Sequence, residues 1–364
     1  LFFYDTTYKN TYNPQFSPFY DQPLFFIIND NNGKTILWLT WFLTPVIVTF
    51  LLPAVIIILI YLSSIIFYLY RLYRLRVVTE VQNDWKHAAR VAVCALWDAH
   101  GWLWHGYEIR GVENIPAGPF LVIYYHGALP IDMYYFTARM LLFQRRHLHT
   151  VADRFLFKIP GWSQLLEGLC VIPGTVATCA GVLRSGNPLA ISPGGVYEAQ
   201  FGDHYYRLHW KSRTGFAKVA LEANVPIIPM FTQNVREAFR TVGWLRGICL
   251  RIYAATRIPL APVYGGFPVK LITHLGKPIY PDSSLTPEQL QQKVATAIED
   301  LVEEHQRVPG SILHQKNSDW SIFLSRRRLR WQRYWIGENG AGCGEAPGEA
   351  HSSEVRRYFR RTIV

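Results

Sequence analysis

No charged side chain occurs between Ile36 and Tyr70. As a helix that run would be roughly 50 Å long at 1.5 Å per residue, against a hydrocarbon core of ~30 Å. An uninterrupted apolar surface of that length excludes a solvent-exposed helix, so the run reads as a membrane segment. Pro45 and Pro53 interrupt it, which leaves either one long tilted span or two short segments in a re-entrant hairpin. A disulfide framework is missing too. The five cysteines (Cys94, Cys170, Cys179, Cys249, Cys343) are odd in number, scattered and without a C-x-x-C pair. That fits a reducing, cytosol-facing compartment and argues against a structural zinc site. The pairs His100/His105 and His147/His149 come nearest to ligand spacing, and neither has the accompanying cysteines or carboxylates, so no metal is expected. There is no Gly-x-Ser-x-Gly elbow, since Gly161-Trp162-Ser163-Gln164-Leu165 fails at its last position. No cysteine has an activating neighbourhood either, so direct transfer is expected rather than a covalent acyl-enzyme. Internal repeats and nucleic-acid-binding modules are absent as well.

Acid is in short supply: 26 Asp and Glu stand against 37 Lys and Arg, for a net charge of +11. The placement of the excess is informative. Arg71, Arg74 and Arg76 directly follow the uncharged run, and the positive-inside rule puts that side in the cytosol. A second cluster (Arg326, Arg327, Arg328, Arg330, Arg333) is interleaved with Trp320, Trp331 and Trp335. It is either an anionic-lipid contact or an ordinary solvated basic tail.

Half of the residues are hydrophobic and 15% are aromatic. The order of composition divides the chain into a polar, aromatic N-terminal segment (1–35), the membrane span or hairpin (36–70), a helical connector (71–104), an α/β domain (105–310) and a basic tail (311–364) whose Gly/Glu-rich stretch beyond about 335 reads as disordered. The α/β assignment rests on alternating signals. Strands are expected at Phe120–Tyr125, Leu189–Ser192, Pro226–Phe231 and Val269–His274. Helices are expected at Pro130–Phe143, Thr175–Ser185 and Gly215–Ala223. A last helix opens with the capping box Thr286-Pro287-Glu288-Gln289 and aligns Leu290, Val294, Ile298 and Leu301 on one face.

The densest chemistry lies in FLVIYYHGALPIDMYYF, Phe120 to Phe136. A buried strand ends at His126-Gly127, and Pro130 suits the first position of a helix. Asp132 then falls in that helix's first turn, near its positive end. An imidazole with a near-neutral pKa and a carboxylate to fix its tautomer make a general base. The alternative is a buried histidine at a strand end beside a helix-capping aspartate. Three further segments follow: CVIPGT (Cys170 to Thr175), ISPGGVYEA (Ile191 to Ala199) and VPIIPMF (Val225 to Phe231). The two glycines of the second expose backbone N–H groups to a ligand.

Together and in this order, His126/Asp132, Gly174, Ser192-Pro193-Gly194-Gly195 and Val225–Pro229 resemble the blocks of the glycerolipid acyltransferase (PlsC-like) superfamily, over about Ile109 to Gln306. With the N-terminal apolar segment, the pattern is similar to the mono- and diacylglycerol acyltransferase-like branch and its transmembrane protein 68 group. The resemblance implies a PlsC-like α/β domain with a central mixed sheet flanked by helices. It implies His126 as general base oriented by Asp132, and substrate contacts from Gly194, Gly195, Tyr197 and Glu198. No cofactor is implied; acyl-CoA is the expected co-substrate, and the expected setting is the endoplasmic reticulum membrane with the catalytic domain facing the cytosol. Two departures stand out. His126 and Asp132 are six positions apart, one more than in the family's His-x4-Asp block. Where phosphate-using members carry Glu-Gly-Thr-Arg, this chain has Gly194-Gly195-Val196-Tyr197, followed by Glu198. The bidentate arginine is missing, which points to a neutral acceptor, diacylglycerol or monoacylglycerol, and to triacylglycerol as product. Arg154 or Arg184 can still serve a phosphate, so a lysophospholipid acyltransferase is the second reading. A non-catalytic lipid-binding membrane protein is the third.

Overall fold

The computed structural model describes residues 33–76, 84–256, 259–260, 262–282 and 284–310. The N-terminal polar segment up to residue 32, and the arginine–tryptophan cluster and Gly/Glu-rich tail beyond 310, lie outside the described residues. The chain divides into two compact units, 1–48 and 49–364.

The elements run in the order α1 (Gly33–Arg76), α2 (Asp84–His105), β1 (Glu108–Arg110), β2 (Leu121–Tyr124), α3 (Ile131–Leu142), β3 (His149–Ala152), α4 (Ser163–Gly168), β4 (Val171–Pro173), α5 (Val176–Arg184), β5 (Leu189–Ile191), α6 (Gly195–Phe201), α7 (Gly215–Ala223), β6 (Ile227–Gln233), α8 (Val235–Ala238), β7 (Phe239–Thr241), α9 (Arg246–Thr256), β8 (Val263–Gly265), β9 (Ile272–Leu275) and α10 (Pro287–His305). Seven strands form one sheet in the order β1-β9-β6-β2-β5-β3-β4. All its pairings are parallel except β6 with β9. The sheet is therefore mixed, and β2 sits in its middle, between β5 and β6.

The side chains of β2 show why it is central. Successive residues point to opposite faces of a sheet, and both faces are covered here. Leu121 and Ile123 meet a core built with Cys179 and Leu183 of α5, Phe216 and Ala220 of α7, and Leu290, Val294 and Ile298 of α10. Val122 and Tyr124 meet Met133, Phe136 and Met140 of α3. A strand buried on both faces needs an uninterrupted apolar sequence, which LVIY supplies. The helix starts follow local chemistry. Thr175 caps α5 by accepting the N–H of Thr178, and Thr286 and Gln289 form the full capping box of α10. Pro130 is the N-cap of α3 rather than its first residue, and Asp132 lies in the first turn as expected.

Helix α1 is unbroken from Gly33 to Arg76 through both prolines. Its stretch Thr40–Leu72 is long and apolar enough to cross a membrane. In its second half, one stripe is buried: Ile56, Ile60, Ser63, Ser64 and Phe67. The spacing of three and four is that of a single helix face. The stripe packs with Ala89, Val93 and Trp97 of α2 and with Ile131, Tyr135 and Ala138 of α3, and Trp97 donates its indole N–H to Ser63 at 3.1 Å. The ring of Phe67 fills the place where a Cβ on Gly168 would sit, only 2.4 Å from Cε1. The β7–β8 hairpin, which carries α9 between its strands, has no counterpart among the elements expected from the sequence.

Phe67→Ala removes a ring that is 97% buried against Gly168 and α2, and it is expected to cost about 3–5 kcal/mol, read as a lowered unfolding midpoint in detergent. A loss below about 1 kcal/mol would mean that this face of α1 is not docked in solution.

Candidate active site

Parallel strands present their carboxyl ends on one edge of a sheet, and that edge is where α/β proteins bind ligands. Here the loops after β2, β3, β4 and β5 all open there. They bring His126, Asp153 and Arg154, Gly174, and Ser192 with Gly195 to the wall of one cavity of about 930 Å³. Ligand sites are usually ~300–1,000 Å³, so this one is roomy. Its opposite wall is apolar and comes from α1: Phe50, Pro53, Ile56, Ile57 and Ile60. Tyr124 and Tyr134 also line it, whereas Phe120, Phe136 and Tyr135 belong to the core.

His126 is held at three points. Its backbone N–H donates to Glu198 Oε2 at 2.9 Å, and its carbonyl accepts from Arg236 Nη2 at 3.1 Å. Its ring Nδ1 lies 2.7 Å from the carbonyl of Gly127. A carbonyl only accepts, so Nδ1 carries the proton and Nε2 keeps its lone pair. Burial lowers the His126 pKa to about 4; the charge of Arg236 acts in the same direction and the Gly127 carbonyl in the other. The ring is therefore neutral at pH 7.

The contact expected from the sequence, Asp132 on His126, is not among the hydrogen bonds of the described residues: Nδ1 is on Gly127, and both Asp132 carboxylate oxygens are buried without a regular partner. Burial pushes the Asp132 pKa up to about 7, against smaller opposing effects from the Thr232 hydroxyl and nearby backbone N–H groups.

Glu198 is fully buried, and each carboxylate oxygen takes one backbone N–H, from His126 and from His209 at 3.0 Å. It does not line the cavity. Burial raises its pKa to about 7, opposed by those two N–H groups and by Arg236 and Arg213. Its side chain also explains Gly194, where a Cβ would lie 2.4 Å from it. Gly195 has φ +49°, a backbone region that favours glycine, and its N–H reaches Ser192 Oγ at 3.3 Å. Tyr197 lies away from the cavity, packed on Phe201 and under Lys211.

Two arginines complete the site, and neither stood out in the sequence. Arg213 Nη1 donates to the carbonyls of Pro193 and Gly194 at 2.8 and 2.9 Å, bracing the glycine turn, and its side chain lines the cavity. Arg236, at the start of α8, is 2% exposed. Its guanidinium donates to the Tyr125 hydroxyl and to the carbonyls of His126, Glu198, Ala199 and Gly202. Its backbone N–H goes to Tyr206, which donates to Glu237. Of the other candidate cations, Arg154 lines the cavity, while Arg184 is paired with Glu222 on the surface. Among the described residues, no group of three or more metal-ligating side chains occurs, and Cys94, Cys170, Cys179 and Cys249 are free thiols.

This site can be set beside known proteins. A protein from Homo sapiens named as a DGAT1/2-independent enzyme synthesizing storage lipids is 49% identical over 279 residues, covering 76% of this chain and 85% of its own length. This chain belongs to the PlsC-like acyltransferase family. Proteins of the same name from Mus musculus (49% over 276 residues, 75% and 82% coverage) and Gallus gallus (44% over 277 residues, 76% and 83%) agree, and they mark the transmembrane protein 68 group. The family model described as Acyltransferase matches residues 106–233. That stretch holds His126, Asp132, the glycine turn, Glu198 and Arg213 of this acyltransferase. The solved 1-acyl-sn-glycerophosphate (LPA) acyltransferase, PlsC, from Thermotoga maritima covers 67% of this chain and 95% of its own at 19% identity, with a TM-score of 0.44, too loose a likeness to carry an argument.

Glu198→Gln tests the clamp on His126. A carboxamide can accept only one of the two backbone N–H groups, and its NH₂ then faces the other donor. The expected outcome is a loss of about 1–3 kcal/mol in stability together with reduced turnover, measured by thermal denaturation and by initial rates. Wild-type stability in this variant would show that the two N–H contacts do not hold the loop.

Proposed function

We propose that this chain is a membrane-bound O-acyltransferase that moves a fatty acyl chain from acyl-CoA to the hydroxyl of diacylglycerol or monoacylglycerol, making triacylglycerol. The setting is the endoplasmic reticulum membrane, with α1 as the anchor and the catalytic domain on the cytosolic side. The observation that carries this reading is one cavity lined together by a histidine whose Nε2 keeps its lone pair, by the glycine turn and by apolar residues of α1. Such a wall suits substrates that live in a bilayer. The relatives named for storage-lipid synthesis support the same class of product.

In the mechanism we propose, His126 Nε2 takes the proton of the acceptor hydroxyl as its oxygen attacks the acyl carbonyl. The tetrahedral oxyanion collapses, the carbon–sulfur bond breaks, and the histidine returns the proton to the departing thiolate. Proton transfer of this kind contributes ~100–10,000-fold in rate. Asp132 serves as the orienting carboxylate by accepting a hydrogen bond from Nδ1–H in place of the Gly127 carbonyl; both of its oxygens are buried without a regular hydrogen bond, which supports that role. Gly195 lines the substrate site, Gly194 leaves room beneath it for the Glu198 side chain, and Glu198 acts through the backbone of His126. The absence of arginine at Gly194–Tyr197 favours an uncharged acceptor. A lysophospholipid acceptor is the second reading, favoured by Arg154 and Arg213 in the cavity wall.

Microsomes carrying the wild type are expected to convert labelled diacylglycerol to triacylglycerol only with added acyl-CoA, and His126→Ala is expected to lower the rate by about 100-fold or more at equal expression. Product from lysophosphatidic acid alone would move the enzyme to the second reading, and an unchanged rate in the variant would remove His126 from the mechanism. The lowered pKa of His126 gives a further expectation. Protonation at Nε2 removes the base only as pH falls towards about 4, but Asp132 must stay ionised to orient the ring, so kcat/KM is expected to fall already as pH drops through its raised pKa of about 7. A profile level through pH 7 and falling only towards about 4 would remove Asp132 from the orienting role.

A further inference from the structure

The β7–β8 hairpin, residues 239–265, is not explained by the chemistry above. On its inner side Thr241, Tyr253 and Val263 line the cavity. On its outer side Trp244 is 84% exposed, Ile248 56% and Leu260 55%, while α9 buries only Cys249. Large apolar side chains left open together mark an interaction surface. The hairpin also leans on α1: the ring of Tyr264 lies 6.1 Å from that of Phe50, and Gly266 approaches Leu52 so closely that a Cβ there would be 2.7 Å from it. On the same turns of α1, Leu51 is 62% exposed, Val55 41% and Ile58 63%, a stripe at helical spacing. The base of the hairpin thus leans on α1, both elements line the cavity, and both leave large apolar side chains open.

We infer that the tip of this hairpin is a second bilayer-contact element: Trp244, Ile248 and Leu260 enter the interfacial layer beside α1, and the lipid substrate reaches the cavity between them. This rests on the reading of α1 as a membrane helix. The occupant is lipid rather than another protein because the patch continues a surface that is itself lipid-facing in that reading. Its composition agrees. A tryptophan with arginines on the adjoining helix suits the headgroup boundary, and Arg251 is exposed while Arg246 packs over Phe201.

The test is photolabelling of the full wild-type chain in phosphatidylcholine vesicles containing a phosphatidylcholine with a diazirine in its acyl chain, followed by mass mapping of adducts. Adducts are expected on residues 243–260 as well as on α1. Adducts on α1 alone would overturn the inference and point to a protein partner or bare solvent at the tip. Adducts on neither would overturn the membrane reading of α1 with it. Labelling does not depend on turnover, so it stands or falls separately from the proposed reaction. Trp244→Asp combined with Ile248→Asp is expected to cut labelling of 243–260 by at least about fivefold while leaving acyl transfer to detergent-dispersed diacylglycerol within about twofold of wild type. Undiminished labelling of that segment in the double variant would also overturn it.

Discussion

A buried guanidinium must be satisfied on every side, and that requirement organises this active site. Arg236 has no carboxylate partner among its hydrogen bonds; it is held by a phenol and four carbonyls. Charge taken out of water without such partners is very costly. The carbonyls it collects come from His126 in the loop after β2, from Glu198 and Ala199 within α6 and from its C-cap Gly202, so one side chain fixes the position of His126 relative to the helix that follows the glycine turn. Glu198 completes the arrangement by taking the amide of the same histidine. His126 is thus positioned through its backbone, leaving the ring at the cavity wall.

This arrangement gives the family resemblance a physical meaning. The resemblance implies substrate contacts from the glycine block. In this chain Gly194 leaves room for the Glu198 side chain, and Gly195 turns the backbone. Arg213 then braces the same turn from outside. A cation therefore does stand beside the turn, although the local sequence carries none there. The acceptor's charge is decided by that neighbourhood as a whole and not by the block alone.

Much of the fold was legible in the sequence because its signals are local. The apolar run of β2, the caps Thr175 and Thr286, and the helical spacing in α10 each follow from neighbours within a few residues. The block order also led to His126 and to the strand end that carries it. What stayed hidden depends on residues far apart in the chain. Arg236 lies 110 positions from His126, and its only sequence trace is an arginine–glutamate pair directly after a strand with no charge in it. The pairing of the His126 ring with Gly127 instead of Asp132 is a matter of side-chain geometry, on which spacing is silent. The β7–β8 hairpin was missed because each strand has only three residues, too few for alternation to show.

The apolar wall of the cavity is made by the same helix that carries the long apolar run. In the proposed reading of α1, anchor and catalyst are then not separable parts. Cutting the chain before α2 to obtain a soluble enzyme would remove one side of the reaction chamber, and grafting a different anchor would put foreign side chains against the substrate. Helix α1 is in this sense a specificity element, and its sequence is constrained from two sides: by the solvent it faces outward and by the molecule it must accommodate inward.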